Sequence, residues 1–255
     1  MNLSNFRDLH DVYPVIKKNL LFRSDAPLQF KKEDWDELYQ LNIRTIIDFR
    51  SEPEIKEDGY ICDDRFVHYN WCCLMPETGI DDFYFPRLVT KASTKEEIIQ
   101  LSSFIRNGYK VIPFQNKAFL NVFQLMEETD GAILFHCGSG KDRTGIFSAL
   151  ILTLFGCDLD TIYKDYLISN ESVQKHLMPI LYKSDYTKEV KETLYYVCSV
   201  HSELLESTFD VILNRYSSMD EYFEKEYNIN KELLKRKYCI NENATDSKIN
   251  PDTTI

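Results

Sequence analysis

Five residues separate Cys137 from Arg143 in the string His136-Cys137-Gly138-Ser139-Gly140-Lys141-Asp142-Arg143-Thr144-Gly145. A phosphate monoester dianion needs several donors converging on its oxygens and a nucleophile in line with the leaving group. A tight loop whose N–H groups point inward supplies most of those donors, and Gly138 and Gly140 permit the backbone angles that such a loop requires. Arg143 adds a planar fork for two phosphate oxygens. The same positive surroundings favour thiolate over thiol at Cys137, and the thiolate is the attacking species. Thr144 can give a hydroxyl hydrogen bond to the sulfur, and His136 can fix the loop through its ring nitrogens.

Other chemistries fit the string less well. A nucleotide-type phosphate loop needs Ser or Thr directly after Gly-Lys, but Asp142 follows Lys141. Zinc binding by His136 and Cys137 would need further ligands at suitable spacing, and the chain has no Cys-x-x-Cys pair. No metal or cofactor is therefore expected. A single cysteine before a buried helix is ordinarily a small core residue, yet the glycines, Lys141, Asp142, Arg143 and Thr144 around this one make no sense as core.

The loop needs a strand to carry it in and a helix to receive its end. Ala132 to His136 is a short apolar run that reads as a strand, and Thr144 to Phe155 reads as a buried helix. Strand, loop and helix in that order bring backbone N–H groups and a helix N-terminus to one point. Upstream, Leu20 to Ser24 suits a short strand or turn, Lys31 to Leu41 a helix ending at Asn42, and Ile43 to Phe49 a buried strand. Phe66 to Trp71 is a weaker strand pattern. Helices are expected near Thr94 to Arg106 and over Asn116 to Glu128. From Leu159 to Tyr238 the pattern is almost wholly helical, with breaks near Pro179 and Ser217-Ser218. Residues 241–255 are polar and read as a disordered tail, which leaves a single domain over 1–240, its helical part beginning near 158.

The 255 residues are 44% hydrophobic and 28% charged, enough for a sizeable core. The formal net charge of -11 argues against nucleic acid as a partner, since binding it calls for a basic face. One local positive site can still hold a phosphorylated substrate. Seven irregularly spaced cysteines suit reduced thiols better than a disulfide framework. No apolar stretch has the length of a membrane span, and the N-terminal residues do not read as a signal peptide. A cytoplasmic location without integral membrane association is expected.

HCGSGKDRTG resembles the signature of the cysteine phosphatases, and within them a bacterial branch that is tyrosine-specific or of dual specificity, some members of which also accept phosphoinositides. Asn5 to Leu9, Leu21 to Asp25, and Ile46 to Ser51 with Glu54 resemble the opening motifs of that branch, although His10 and Asp11 stand where it usually has glycines. Asp165 to Asn170 resembles its later helix, and Met219 to Leu234 its C-terminal helices. The resemblance implies an α/β fold with a mostly parallel sheet of four or five strands flanked by helices. It also implies Cys137 as nucleophile, Arg143 as phosphate clamp, and Gly138, Ser139, Gly140, Lys141 and Asp142 as the phosphate cradle. Hydrolysis through a phosphocysteine would follow, on a phosphotyrosine protein or a phosphoinositide. A non-catalytic phosphate-binding module is the alternative, but binding alone does not require the thiolate. A sulfur-transfer enzyme fits the Arg143-Thr144 pair poorly.

A proton donor for the leaving group is harder to place. The branch usually takes it from a separate loop, but the corresponding stretch Trp71 to Glu77 holds no aspartate. Asp142 is the first choice, with Glu77, Asp81 and Asp82 nearby in sequence. Asp48 and Arg50 follow a buried strand, where an ion pair that buttresses the loop is expected. Arg7 and Asp8 are expected to pair or to anchor the N-terminal segment. Lys141 could meet further phosphates or solvent. His68, His176 and His201 read as isolated, and Cys72 and Cys73 as packing residues that could also oxidise with Cys137.

Overall fold

The computed structural model describes residues 1–74 and 94–240. Its sheet has five strands in the order β1-β2-β5-β3-β4, built from β1 (Arg7–Asp8), β2 (Leu21–Ser24), β3 (Ile43–Asp48), β4 (Val67–Asn70) and β5 (Ala132–His136). Only β1, at the edge, runs antiparallel to its neighbour. Side chains alternate across this sheet. Ile133 and Phe135 of β5 face a large core shared with α5 (Lys117–Glu128) and α6 (Arg143–Leu154), whereas Ala132 and Leu134 face a smaller one closed by Trp35 and Leu38 of α2 (Lys32–Gln40). Helices thus cover both faces.

Helix α6 is buried almost all round, as its unbroken apolar sequence requires. Phe147 packs against Phe49, Phe119, Phe123 and Phe135 with ring centroids 4.8–5.3 Å apart. Short helices α1 (Leu9–Val12) and α3 (Glu52–Glu57) follow β1 and β3, and α4 (Lys95–Val111) precedes α5. The remaining helices are α7 (Leu159–Lys183), α8 (Lys188–Cys198), α9 (Ser202–Arg215), α10 (Met219–Tyr227) and α11 (Lys231–Tyr238). Ile98 of α4, Leu181 of α7 and Leu194 of α8 form a separate small core.

The sequence pattern located most of these elements, with two corrections. Pro179 lies inside α7 and does not break it. It stands in the last turns, where the missing N–H removes one bond near an end that is already running out. The break expected at Ser217-Ser218 is present, and three of the breaks carry caps: Thr187, Ser218 and Asn230 each accept from the N–H three residues on, whereas His201 before α9 makes no side-chain cap bond. The helix expected to stop near Arg106 continues to Val111. Residues 241–255 and the acidic positions Glu77, Asp81 and Asp82 lie outside the described residues.

Candidate active site

Register places the site. Ser24 pairs with His136, His136 with Asp48, and Asp48 with Asn70, so four parallel strands end on one line. Residues just past that line, at the carboxyl ends of the strands, share a crevice, as is general for parallel sheets. It is a cavity of about 490 Å³ whose lining includes Asp25, Glu54, Cys137, Lys141, Asp142 and Arg143.

The loop from Cys137 to Asp142 is held from outside by its carbonyls. Cys137 O accepts from His136 Nδ1 at 2.9 Å and Gly138 O from the Ala26 N–H at 2.9 Å. Ser139 O accepts from Asn5 Nδ2 and Gly140 O from the buried Arg23 guanidinium, both at 2.8 Å. A carbonyl that turns outward turns the following N–H the other way, so this fastening directs the loop amides toward the cavity. Gly140 has φ +68°, and a Cβ there would lie 2.3 Å from Ser24 O. Gly138 differs from expectation: a Cβ at this position would meet nothing closer than 3.9 Å, and its φ is not positive. Only Gly140 of the pair is demanded by geometry.

Arg143 opens α6. Its Nη1 and Nη2 each donate to an oxygen of Glu54 at 2.6 Å. Burial by itself would raise the Glu54 pKa, but Arg143 and Ser51 outweigh it and hold the carboxylate below its usual range. The fork leaves the Nε edge of the guanidinium for a ligand. Sequence reasoning noted Glu54 in a motif but gave it no role. The available signal was the spacing Ser51-Glu52-Pro53-Glu54, a capping box that the structure forms.

Asp48 and Arg50 make the expected ion pair at 2.7 Å. Beside them runs a chain of rings. Burial lowers the His136 pKa and keeps the imidazole neutral. Its Nδ1–H therefore donates to Cys137 O, and its Nε2 accepts from Tyr60 OH at 2.8 Å. Tyr60 OH in turn meets His68 Nε2 at 3.0 Å, so His68 is joined to the site and not isolated. Asp48, His68 and His136 lie close enough to share a metal ion, but Asp48 already binds Arg50 and both His136 nitrogens are engaged. His176 meets Ser4 Oγ at 2.5 Å, and His201 stacks on Tyr196. Arg7 pairs with Asp165, not Asp8. Asp165 sits between the Arg7 and Arg23 guanidiniums, whereas Asp8 caps α1 and holds the Asn19 N–H.

Asp142 faces the cavity with both oxygens engaged. Tyr109 OH donates to Oδ1 at 2.8 Å, itself accepting from Tyr166 OH at 2.5 Å, and Lys141 Nζ meets Oδ2 at 2.9 Å. Lys141 is buried, not solvated. The fully buried Thr144 hydroxyl makes no hydrogen bond among the described residues. Cys73 is fully buried, Cys72 is exposed, and none of the seven cysteines is paired.

A thiol and a guanidinium at the two ends of an amide-lined loop, mounted where parallel strands end, make this a cysteine-phosphatase type of site. The chain belongs to the tyrosine phosphatase family, whose model matches residues 1–238. A Cupriavidus necator protein named as a tyrosine-protein phosphatase is 25% identical over 92% of this chain and 86% of its own length. The triple specificity protein phosphatase PtpB of Mycobacterium tuberculosis is 31% identical over 66% of this chain and 67% of its own. Among solved structures, the catalytic core of the PP-IP phosphatase Siw14 from S. cerevisiae matches 82% of this chain and 94% of that one, at 15% identity and a TM-score of 0.31, too faint a likeness to bear on fold or function. The protein is thus a tyrosine-phosphatase-like hydrolase of phosphate monoesters. No helix among the described residues is long and apolar enough to cross a membrane.

Proposed function

We propose that the chain hydrolyses phosphotyrosine-type esters by two in-line displacements through a phosphocysteine on Cys137. The observation that carries this reading is the outward fastening of four successive loop carbonyls, which leaves the amides, Arg143 and the thiol facing one cavity. In the first displacement the Cys137 sulfur attacks phosphorus, the ester bond breaks and the alcohol leaves. The amides of Gly138 to Asp142 and the Nε edge of Arg143 hold the equatorial oxygens. In the second, water attacks phosphorus and the thiolate leaves; the fully buried Thr144 hydroxyl, which makes no hydrogen bond among the described residues, is the donor we assign to the departing sulfur. Asp142 was the expected proton donor. Held as a hydrogen-bond acceptor by Tyr109 and Lys141, it suits better the uptake of the proton that water releases.

The cavity walls favour an aryl ester. Leu28, Leu74, Ile112, Ile146, Val173 and Leu177 surround the loop, and an aromatic ring gains most from such a lining. The second reading is a phosphoinositide, favoured by the buried Lys141 ammonium beside the cradle, which could meet a further phosphate. Unpaired cysteines suit a reducing, cytoplasmic setting. Turnover of a phosphotyrosine peptide, a phosphoserine peptide and a phosphoinositide, each against Cys137→Ser as blank, tests the proposal. Fastest release of phosphate from the phosphotyrosine peptide is expected. Preference for the inositide would select the second reading, and no release from any would leave a binding module.

A further inference from the structure

We infer that Asp25 is a catalytic carboxyl of this site, the group that protonates the leaving oxygen. The inference rests on the hydrolytic reading above and adds to it a residue from outside the loop. Strands β2 and β5 run parallel with Ser24 opposite His136, so Asp25 and Cys137 are each the first residue beyond their strand. Neighbouring strands lie roughly 5 Å apart, and residues in register project to the same side. The Ala26 N–H bond to Gly138 O keeps the two segments together past the strand ends. Close contact of Gly140 with Ser24 and Asp25 closes the gap from the other side. Asp25 lines the cavity that Cys137 and Arg143 also line.

Its surroundings differ from those of Asp142. Asp142 receives an ammonium and a phenol, whereas Asp25 Oδ1 accepts a neutral backbone N–H, that of Ser4, at 2.7 Å. Burial pushes its pKa up to about 7, opposed by that hydrogen bond, by its own backbone N–H and by Lys175. The other charged or titratable groups lining the same cavity are Cys137, Lys141, Asp142 and Arg143 from the loop, Arg50, Glu54 and Asp58 in and around α3, Tyr109 of α4, His176 of α7 and Cys198 of α8. Two carboxyls in one site with different surroundings divide the work of acid and base. The Asp25 carboxyl gives its proton to the ester oxygen as the S–P bond forms and the P–O bond breaks. Asp142 takes a proton from the attacking water as the S–P bond breaks, and solvent returns that proton to Asp25.

The test compares kcat/KM for a nitrophenyl phosphate and an unactivated alkyl phosphate in the parent, Asp25→Asn and Asp25→Glu. Vanadate-sensitive hydrolysis by the parent secures the underlying reading first; without it that reading fails, and Asp25 with it. Given that activity, Asp25→Asn is expected to raise the ratio of the two rates roughly a hundredfold, because a nitrophenolate leaves with little help. It should also remove a fall in the parent's rate above about pH 7, and Asp25→Glu should restore part of both. Equal loss on both substrates, or an alkaline fall that persists in Asp25→Asn, would overturn the assignment while leaving the phosphatase reading intact. The parent profile alone also decides if the variants fold poorly, since absence of that fall on the alkyl ester counts against Asp25.

Discussion

Glu54 grips Arg143 by two parallel hydrogen bonds of 2.6 Å, from a helix whose first turn it also caps. One carboxylate thus fixes both where α3 begins and which edge of the guanidinium faces the cavity. Glu54→Gln keeps one acceptor and presents an NH2 to Arg143 at the other. Such a charge-assisted bond is worth about 1.5–3 kcal/mol, so kcat/KM should fall by about ten- to a hundredfold. Steady-state kinetics with folding checked by circular dichroism measures this. Because the ion pair is buried, Glu54→Ala should also destabilise the fold, by about 3–5 kcal/mol in denaturant titration.

Cys137→Ser should retain the fold and the ability to bind substrate while losing hydrolysis, because a hydroxyl does not ionise as a thiol does. Calorimetry with a phosphotyrosine peptide reads the binding, and phosphate release the chemistry. Turnover near the parent's would rule out the covalent route.

Activity should survive a strong chelator and be lost to vanadate or peroxide. The one close group of ligand-type side chains among the described residues, Asp48, His68 and His136, is engaged with Arg50, Tyr60 and the Cys137 carbonyl. On the proposed mechanism, charge at phosphorus is met instead by Arg143 and the loop amides. Rates measured before and after dialysis against chelator decide it, and recovery on adding zinc or magnesium would contradict it.

Asp142→Asn should slow breakdown of the phosphocysteine more than its formation. Rapid-quench kinetics should then show a burst of alcohol, close to one equivalent per enzyme, followed by turnover reduced roughly a hundredfold. Tyr109→Phe removes the donor to Asp142 Oδ1 and should show the same burst with a smaller loss. Uniform slowing with no burst would make Asp142 a brace for the loop.

Asp25 also gives a stability prediction with a definite sign. Its folded pKa, about 7, lies above the ordinary carboxyl value. The folded state therefore resists its ionisation, and the parent loses stability as pH rises from about 4 to about 7. Asp25→Asn carries no such charge. Relative to the parent it should gain on the order of a few kcal/mol above pH 7 and nothing near pH 4, read from urea titrations at the two pH values. A gain that is the same at both would mean that ionisation at this position is not involved.

Much of this was legible in the residues. The strand at Ala132, the loop and the helix after it are local in sequence, and their apolar pattern and glycines mark them directly. What escaped was non-local. Glu54 lies 89 positions from Arg143, and no local pattern shows that a capping carboxylate also reaches a guanidinium. Tyr109 lies past the helix end expected near Arg106 and Tyr166 within the later helical stretch, and only the packing of α4 against α7 joins their hydroxyls. Pro179 misled because a proline inside a helix removes one bond without necessarily ending the helix. Gly138 and Gly140 looked equivalent, although the close approach of Ser24 singles out Gly140.

The fastening of the loop carbonyls has a kinetic consequence. The bonds from Asn5 to Ser139 and from Arg23 to Gly140 span 134 and 117 positions, and Arg7 reaches Asp165 across 158. Closing spans of that length costs chain entropy before the contacts repay it. The strand, loop and helix can assemble from neighbouring residues, but the loop gains its outer frame only when the first two dozen residues have docked. During refolding, recovery of enzyme activity should therefore lag behind recovery of helical signal, making catalysis a readout of the last long-range closure and not of secondary structure.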